Sequence, residues 1–137
     1  MPQSHKSSIC RCEQVSWIFC ELCSKLILND EFYFQNGEKF ILHSKVDCNA
    51  KFCIYLLQCS CKKIYIGECE DFRARINLHT NQIKKKEYRN LFVSKHIFQC
   101  GQKFQCAPFF LMKNKNLIER KVREEFFINK FKPELNC

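Results

Sequence analysis

Apolar and polar positions change their rhythm several times along this chain, and each change marks an element. Lys51–Gln58 and Lys63–Glu68 are β-rich runs, each centred on a tyrosine, and the short polar turn Cys59-Ser60-Cys61 joins them. This pattern predicts an antiparallel strand pair. From Phe72 the period becomes helical: Phe72, Ile76, His79 and Ile83 share one stripe, with Arg75 at its edge and Asp71 placed as N-cap. A second helix is expected within Tyr88–Phe98. Gly101 then breaks the chain, and Pro108 is expected to open a strand over Phe109–Lys113. The last helix should begin near Asn116 and end before Pro133.

Upstream, Glu31–Gln35 and Glu38–His43 alternate around Asn36-Gly37, a pair that tolerates positive φ and so predicts a two-residue hairpin. The order hairpin, β-β-α-α-β-α predicts a small α/β domain: a three-stranded antiparallel sheet flanked by helices, with an N-terminal Cys-rich segment carrying the hairpin. Asp47–Ala50 is the expected seam, with the Cys-rich segment over residues 1–48 and the main domain over 49–137. Met1–Ser8 carries no periodicity and is expected to be disordered.

Composition sharpens this picture in two places. A net charge of +9 on 137 residues, spread over Lys62–Lys63, Arg73–Arg75, Lys84–Lys86, Lys113–Lys115 and Arg120–Arg123, favours a folded basic face for a polyanion over a disordered arm. The polyanion could be nucleic acid or an anionic membrane surface, and Arg73, Lys84, Lys85 and Lys86 are the candidate contacts if it is nucleic acid. The chain also carries twelve cysteines. The polar start lacks a signal-peptide core and no apolar run reaches the length of a membrane span, so a secreted disulfide scaffold fits poorly and metal binding fits better. The expected location is inside the cell, in the nucleus.

Cys20-Glu21-Leu22-Cys23 can give two thiolates to one Zn²⁺ from a single tight turn, and a second pair would close the tetrahedron. That second pair could be Cys10 and Cys12, His43 and Cys48, or Cys59 and Cys61.

In the last helix, Glu124 falls within an apolar arc formed by Leu117, Phe127, Ile128 and Phe131. A carboxylate in such a place needs a metal or a cation. The ordinary explanation is an ion pair with Arg75 or Arg120; the chemical one is a catalytic metal.

Five short motifs in order now resemble a known family. Cys53-Ile54-Tyr55 and Tyr65-Ile66-Gly67 resemble the two tyrosine strands of GIY-YIG nucleases. Arg75 and His79 match that family's helix pair, Glu124 its metal-binding glutamate, and Pro133 with Asn136 its closing proline and asparagine. The resemblance covers about Asn49 to Asn136, and Cys53 stands where the family has glycine. Cysteines placed as Cys48, Cys59 and Cys61 are, together with an upstream cysteine-rich linker, similar to the endonuclease of Penelope-like retroelements. The resemblance implies a phosphodiester hydrolase acting on DNA with Mg²⁺ or Mn²⁺ at Glu124. It implies Tyr55 as general base or water-positioner, Tyr65 in support, Arg75 on the phosphate, His79 as proton relay or phosphate contact and Asn136 as brace. The rival expectation is an inactive nucleic-acid-binding zinc module that keeps the fold.

Overall fold

The computed structural model describes residues 21–27, 31–41, 48–85 and 91–136. Its centre is a three-stranded antiparallel sheet in the order β4-β3-β5, built from β3 (Lys51–Cys59), β4 (Ile64–Asp71) and β5 (Phe104–Leu111). A two-stranded hairpin, β1 (Glu31–Tyr33) and β2 (Lys39–Ile41), precedes it, after a 3₁₀ turn at Cys23–Lys25. The helices are α1 (Phe72–Lys84), α2 (Phe92–Gln99) and α3 (Leu117–Phe131).

The helix boundaries follow capping chemistry. The Asp71 side chain accepts from the Ala74 amide, and Asn116 accepts from Glu119, so α1 and α3 start where a short polar side chain can satisfy a free N–H, whereas α2 starts after Leu91 with no side-chain cap. The stripe Phe72, Ile76, His79 and Ile83 is the buried face of α1, as its spacing predicts. On α3 the buried positions are Arg120, Phe127 and Phe131, while Leu117 is half exposed. Leu117 therefore does not belong to the apolar arc expected around Glu124.

Two turns differ from expectation. Pro108 lies inside β5 rather than before it, opposite Tyr55 where the β3–β5 register shifts. An outer strand tolerates proline there because the irregularity removes the need for its missing N–H. At the hairpin, only Gly37 takes positive φ. The Gly37 amide bonds back to the Phe34 carbonyl and the Phe34 amide to the Glu38 carbonyl, so the loop is longer than the two-residue Asn-Gly turn.

One continuous core joins the described residues. Phe34 stacks on Phe131 with ring centroids 4.1 Å apart, and Phe40 meets Phe109, Phe127 and Phe131 edge-on. The Ile27 amide donates to the Cys106 carbonyl beside β5. The described part of the N-terminal segment thus shares the core of the sheet. No helix among the described residues is long and apolar enough to cross a membrane.

Candidate active site and metal centre

The antiparallel register puts Tyr55 of β3 directly opposite Gly67 of β4. A Cβ at Gly67 would lie 2.6 Å from the Tyr55 hydroxyl, so the phenol occupies space that only glycine leaves open. Tyr55 is wholly buried, and its Oη lies in hydrogen-bond contact, 2.8 Å, with His79 Nε2 on α1. Tyr65 completes an aromatic group with both, its ring centroid 6.3 Å from Tyr55 and 5.5 Å from His79, and keeps part of its side chain in solvent. Of the two tyrosines, Tyr65 is the one presented outward.

Electrostatics keep this group neutral at rest. Burial, then the neighbouring Tyr65, pushes the Tyr55 phenol well above its usual range, while Arg75 acts the other way. Burial, with Arg75 adding to it, lowers His79 to about 4. Its Nδ1 has no hydrogen-bond partner in the structure. The pair is therefore a phenol against an imidazole, and Arg75 is the group that favours phenolate. Arg75 itself is anchored by its Nη1, which donates to the Glu68 carbonyl at 2.8 Å.

Glu124 approaches from α3, half-buried. Burial raises its pKa, Lys121 pulls it down and Glu68 raises it again. Its ion-pair partner is Lys121, one turn away at 3.9 Å, rather than Arg75 or Arg120. Arg120 instead pairs with Glu68, Nε to Oε1 at 2.6 Å, with both side chains buried. That ion pair was not visible in the sequence, because Glu68 lies in a strand where an acid on the inward face breaks the expected pattern. A carboxylate with one distant ammonium partner fits a hydrated hard cation such as Mg²⁺, which takes few protein ligands.

Asn136 reaches the free edge of β4: its Oδ1 accepts from the Ile66 amide and its Nδ2 donates to the Ile66 carbonyl, each at 2.7 Å. Cys53, which stands where the family has glycine, does not adopt positive φ. Its sulfur lies 3.6 Å from that of Cys69 across the strand pair. The spatial demand for glycine falls on Gly67.

A second chemical cluster lies at the turn between β3 and β4. The ligand atoms of Cys59, Cys61, His96 and Cys100 all lie within 4.8 Å of one another. Cys59 and Cys61 belong to a tight turn closed by the Lys62 amide on the Cys59 carbonyl, with Lys62 at φ 83°, and His96 and Cys100 stack one turn apart at the end of α2. Cys61 Sγ is 3.2 Å from His96 Nε2. Burial pushes the Cys61 thiol up, but the Lys63 amide and His96 outweigh it and bring it down to about 7, while burial holds Cys59 up at about 11. Three sulfurs and one imidazole at this spacing fit a tetrahedral zinc. His96 and Cys100 were missed in the sequence, although His-x3-Cys on a helix was the signal.

Among the described residues, Cys23 and Cys48 are not part of this cluster. Cys10, Cys12, Cys20 and His43 lie outside the described residues. Cys23 is disulfide-bonded, and Cys48 accepts from Arg73 Nη2 at 3.1 Å. Arg73 also donates to Asn49, so its guanidinium is turned into the fold. Lys84 and Lys85 are exposed, and Lys86 lies outside the described residues.

Residues 51–136 match the family model of the GIY-YIG catalytic domain, more than half of the chain, and the chain belongs to the GIY-YIG family. Its fold is similar to the solved catalytic domain of the homing endonuclease I-TevI, with a TM-score of 0.52 and 20% identity. That similarity covers 63% of this chain and 94% of the I-TevI domain. No curated protein matches the sequence.

Proposed function

We propose that the protein is a metal-dependent endonuclease that hydrolyses phosphodiester bonds in DNA, acting in the nucleus as a retroelement-type GIY-YIG enzyme. The observation that supports this most is the Tyr55–His79 hydrogen bond, set in the space left by Gly67 and flanked by Arg75. A purely structural tyrosine would need neither the matching glycine nor a buried histidine with an unpartnered nitrogen.

Glu124 would hold Mg²⁺ or Mn²⁺, which supplies charge neutralisation at the scissile phosphate and leaving oxygen. Arg75, anchored on the Glu68 carbonyl and lying against Tyr55, would turn its remaining N–H groups to nonbridging oxygens. Tyr65, open to solvent, positions the attacking water, and the Tyr55–His79 pair behind it receives the proton. Asn136 holds the β4 edge on which Tyr65 stands. The retroelement assignment rests on the placement of Cys48, Cys59 and Cys61. The Cys59–Cys61–His96–Cys100 cluster would hold a structural Zn²⁺.

The rival reading, an inactive nucleic-acid-binding zinc module, draws on Cys53 and on the complete burial of Tyr55. Supercoiled-plasmid cleavage with Mg²⁺ or Mn²⁺ separates the two. Wild type should nick the plasmid, and Glu124→Gln should abolish nicking while the melting temperature holds or rises, because the amide removes a half-buried charge. A Glu124→Gln protein nicking near the wild-type rate would refute the active-site assignment.

A further inference from the structure

The charged groups around Glu124 form a chain with unequal links. Glu68 is 7% exposed and its oxygens are divided: Oε1 accepts from Arg120 Nε at 2.6 Å and Oε2 from Lys121 Nζ at 3.0 Å. Arg120 is itself buried and lies over the Phe52 ring, so Glu68 has one partner that is held in place. Lys121 differs. Its side chain is 58% exposed, and its Nζ stands 3.9 Å from Glu124 Oε1. The ammonium is tethered to the fixed carboxylate and leans over the half-buried one. Among the described residues no other ion pair or hydrogen bond reaches Glu124.

We propose that Lys121 is a resident counter-cation, a positioning residue that screens Glu124 until a DNA phosphate draws its ammonium away. Ion binding at Glu124 and DNA binding then favour each other. This rests on reading Glu124 as the metal-binding carboxylate. A buried carboxylate and a half-buried one on the same ammonium need its charge, and Lys121 supplies it from the chain itself. The same ammonium repels a divalent ion arriving at Glu124. Lysine suits the role because its compact charge on a flexible stem moves between oxygens without the paired geometry of arginine. Once the ammonium lies on a phosphate, the repulsion falls and a DNA contact is gained. By linkage, whatever DNA adds to ion affinity the ion adds to DNA affinity.

Two assays without cleavage test this. Mn²⁺ binding is followed by electron paramagnetic resonance without DNA, and short-duplex binding is followed by fluorescence anisotropy in EDTA over a salt series. Lys121→Met should bind Mn²⁺ about three- to tenfold more tightly. The same variant should bind duplex more weakly, with a salt slope smaller by about one phosphate contact. Lys121→Arg, which keeps the charge, should stay near wild type in both. A structural defect would weaken both together, so opposite signs identify the proposed role. Unchanged or weaker Mn²⁺ binding in Lys121→Met, or an arginine variant behaving like the methionine one, overturns it. If Glu124→Gln leaves wild-type Mn²⁺ binding intact, the metal role of Glu124 itself fails and the Lys121 proposal falls with it, a result distinct from the first.

Discussion

Gly67 and Tyr55 show how much one hydrogen atom in place of a methyl can decide. A methyl at Gly67 would press on the Tyr55 hydroxyl at 2.6 Å, within a strand pair that cannot spread without losing its ladder. Gly67→Ala should therefore destabilise by about 1–3 kcal/mol in urea unfolding, as overpacked cores do, and should lower nicking more than Cys53→Gly changes it. A fully active alanine variant would show that the phenol's place is not needed. His79 gives a pH signature. It titrates near 6.5 when unfolded and at about 4 when folded, so the unfolded chain binds the proton more readily. Its contribution is complete above 6.5 and is lost as pH falls toward 4, an effect of about 3 kcal/mol. Unfolding free energy measured between those limits should fall less steeply in His79→Phe than in wild type. The family resemblance singled out Tyr55, Tyr65, Arg75, His79, Glu124 and Asn136 as candidates, and of these the structure brings Tyr55, Tyr65 and His79 into one aromatic group. The Glu68–Arg120 pair was not legible in the sequence, since only a cross-element contact reveals why a strand acid and a helix arginine are both buried.

The strand pair was legible from two β-rich runs joined by a short polar turn, and the first and last helices from a helical period with a capping side chain, Asp71 or Asn116, at the start. β5 begins at Phe104, before the boundary that proline signals, because an irregular outer strand admits Pro108. The zinc question divided in a similar way. Cys59 and Cys61 were visible as one half of a site, but the half that completes it comes from α2, at a separation that no local pattern spans. Metal there would tie the turn between β3 and β4 to the end of α2, a short helix of eight residues. Elemental analysis should find about one zinc per chain, and both Cys61→Ser and Cys100→Ser should lower it. Chelation should reduce the melting temperature and speed amide exchange in α2 before the sheet. Protein purified without chelator and free of zinc would contradict the assignment.

Across the whole molecule, charge was readable as a total but not as a surface. Arg73 and Arg120, counted at first with the basic face, are turned inward, whereas Lys84 and Lys85 stay in solvent. A further cleft of about 470 Å³ is lined by Lys25, Lys62, Lys103 and Phe104 with no acidic residue. Duplex affinity should fall steeply and linearly on a log–log plot against salt. A Lys62→Ala, Lys103→Ala double variant should flatten that slope by up to two phosphate contacts, without changing the melting temperature by more than a degree or two. A salt-independent affinity would count against a phosphate-tracking face.

The tail beside β4 has a consequence for how copies of this molecule meet. The amides and carbonyls of Ile64 and Ile66 are taken by Glu134, Leu135 and Asn136, and the Glu68 carbonyl by Arg75. On the opposite flank, Ile27 occupies the Cys106 carbonyl of β5. Both margins of the sheet are thus capped along part of their length by the chain's own backbone and side chains. A neighbouring copy finds those stretches closed to strand addition, so the fold resists growth into fibres at the margin that also carries its chemistry.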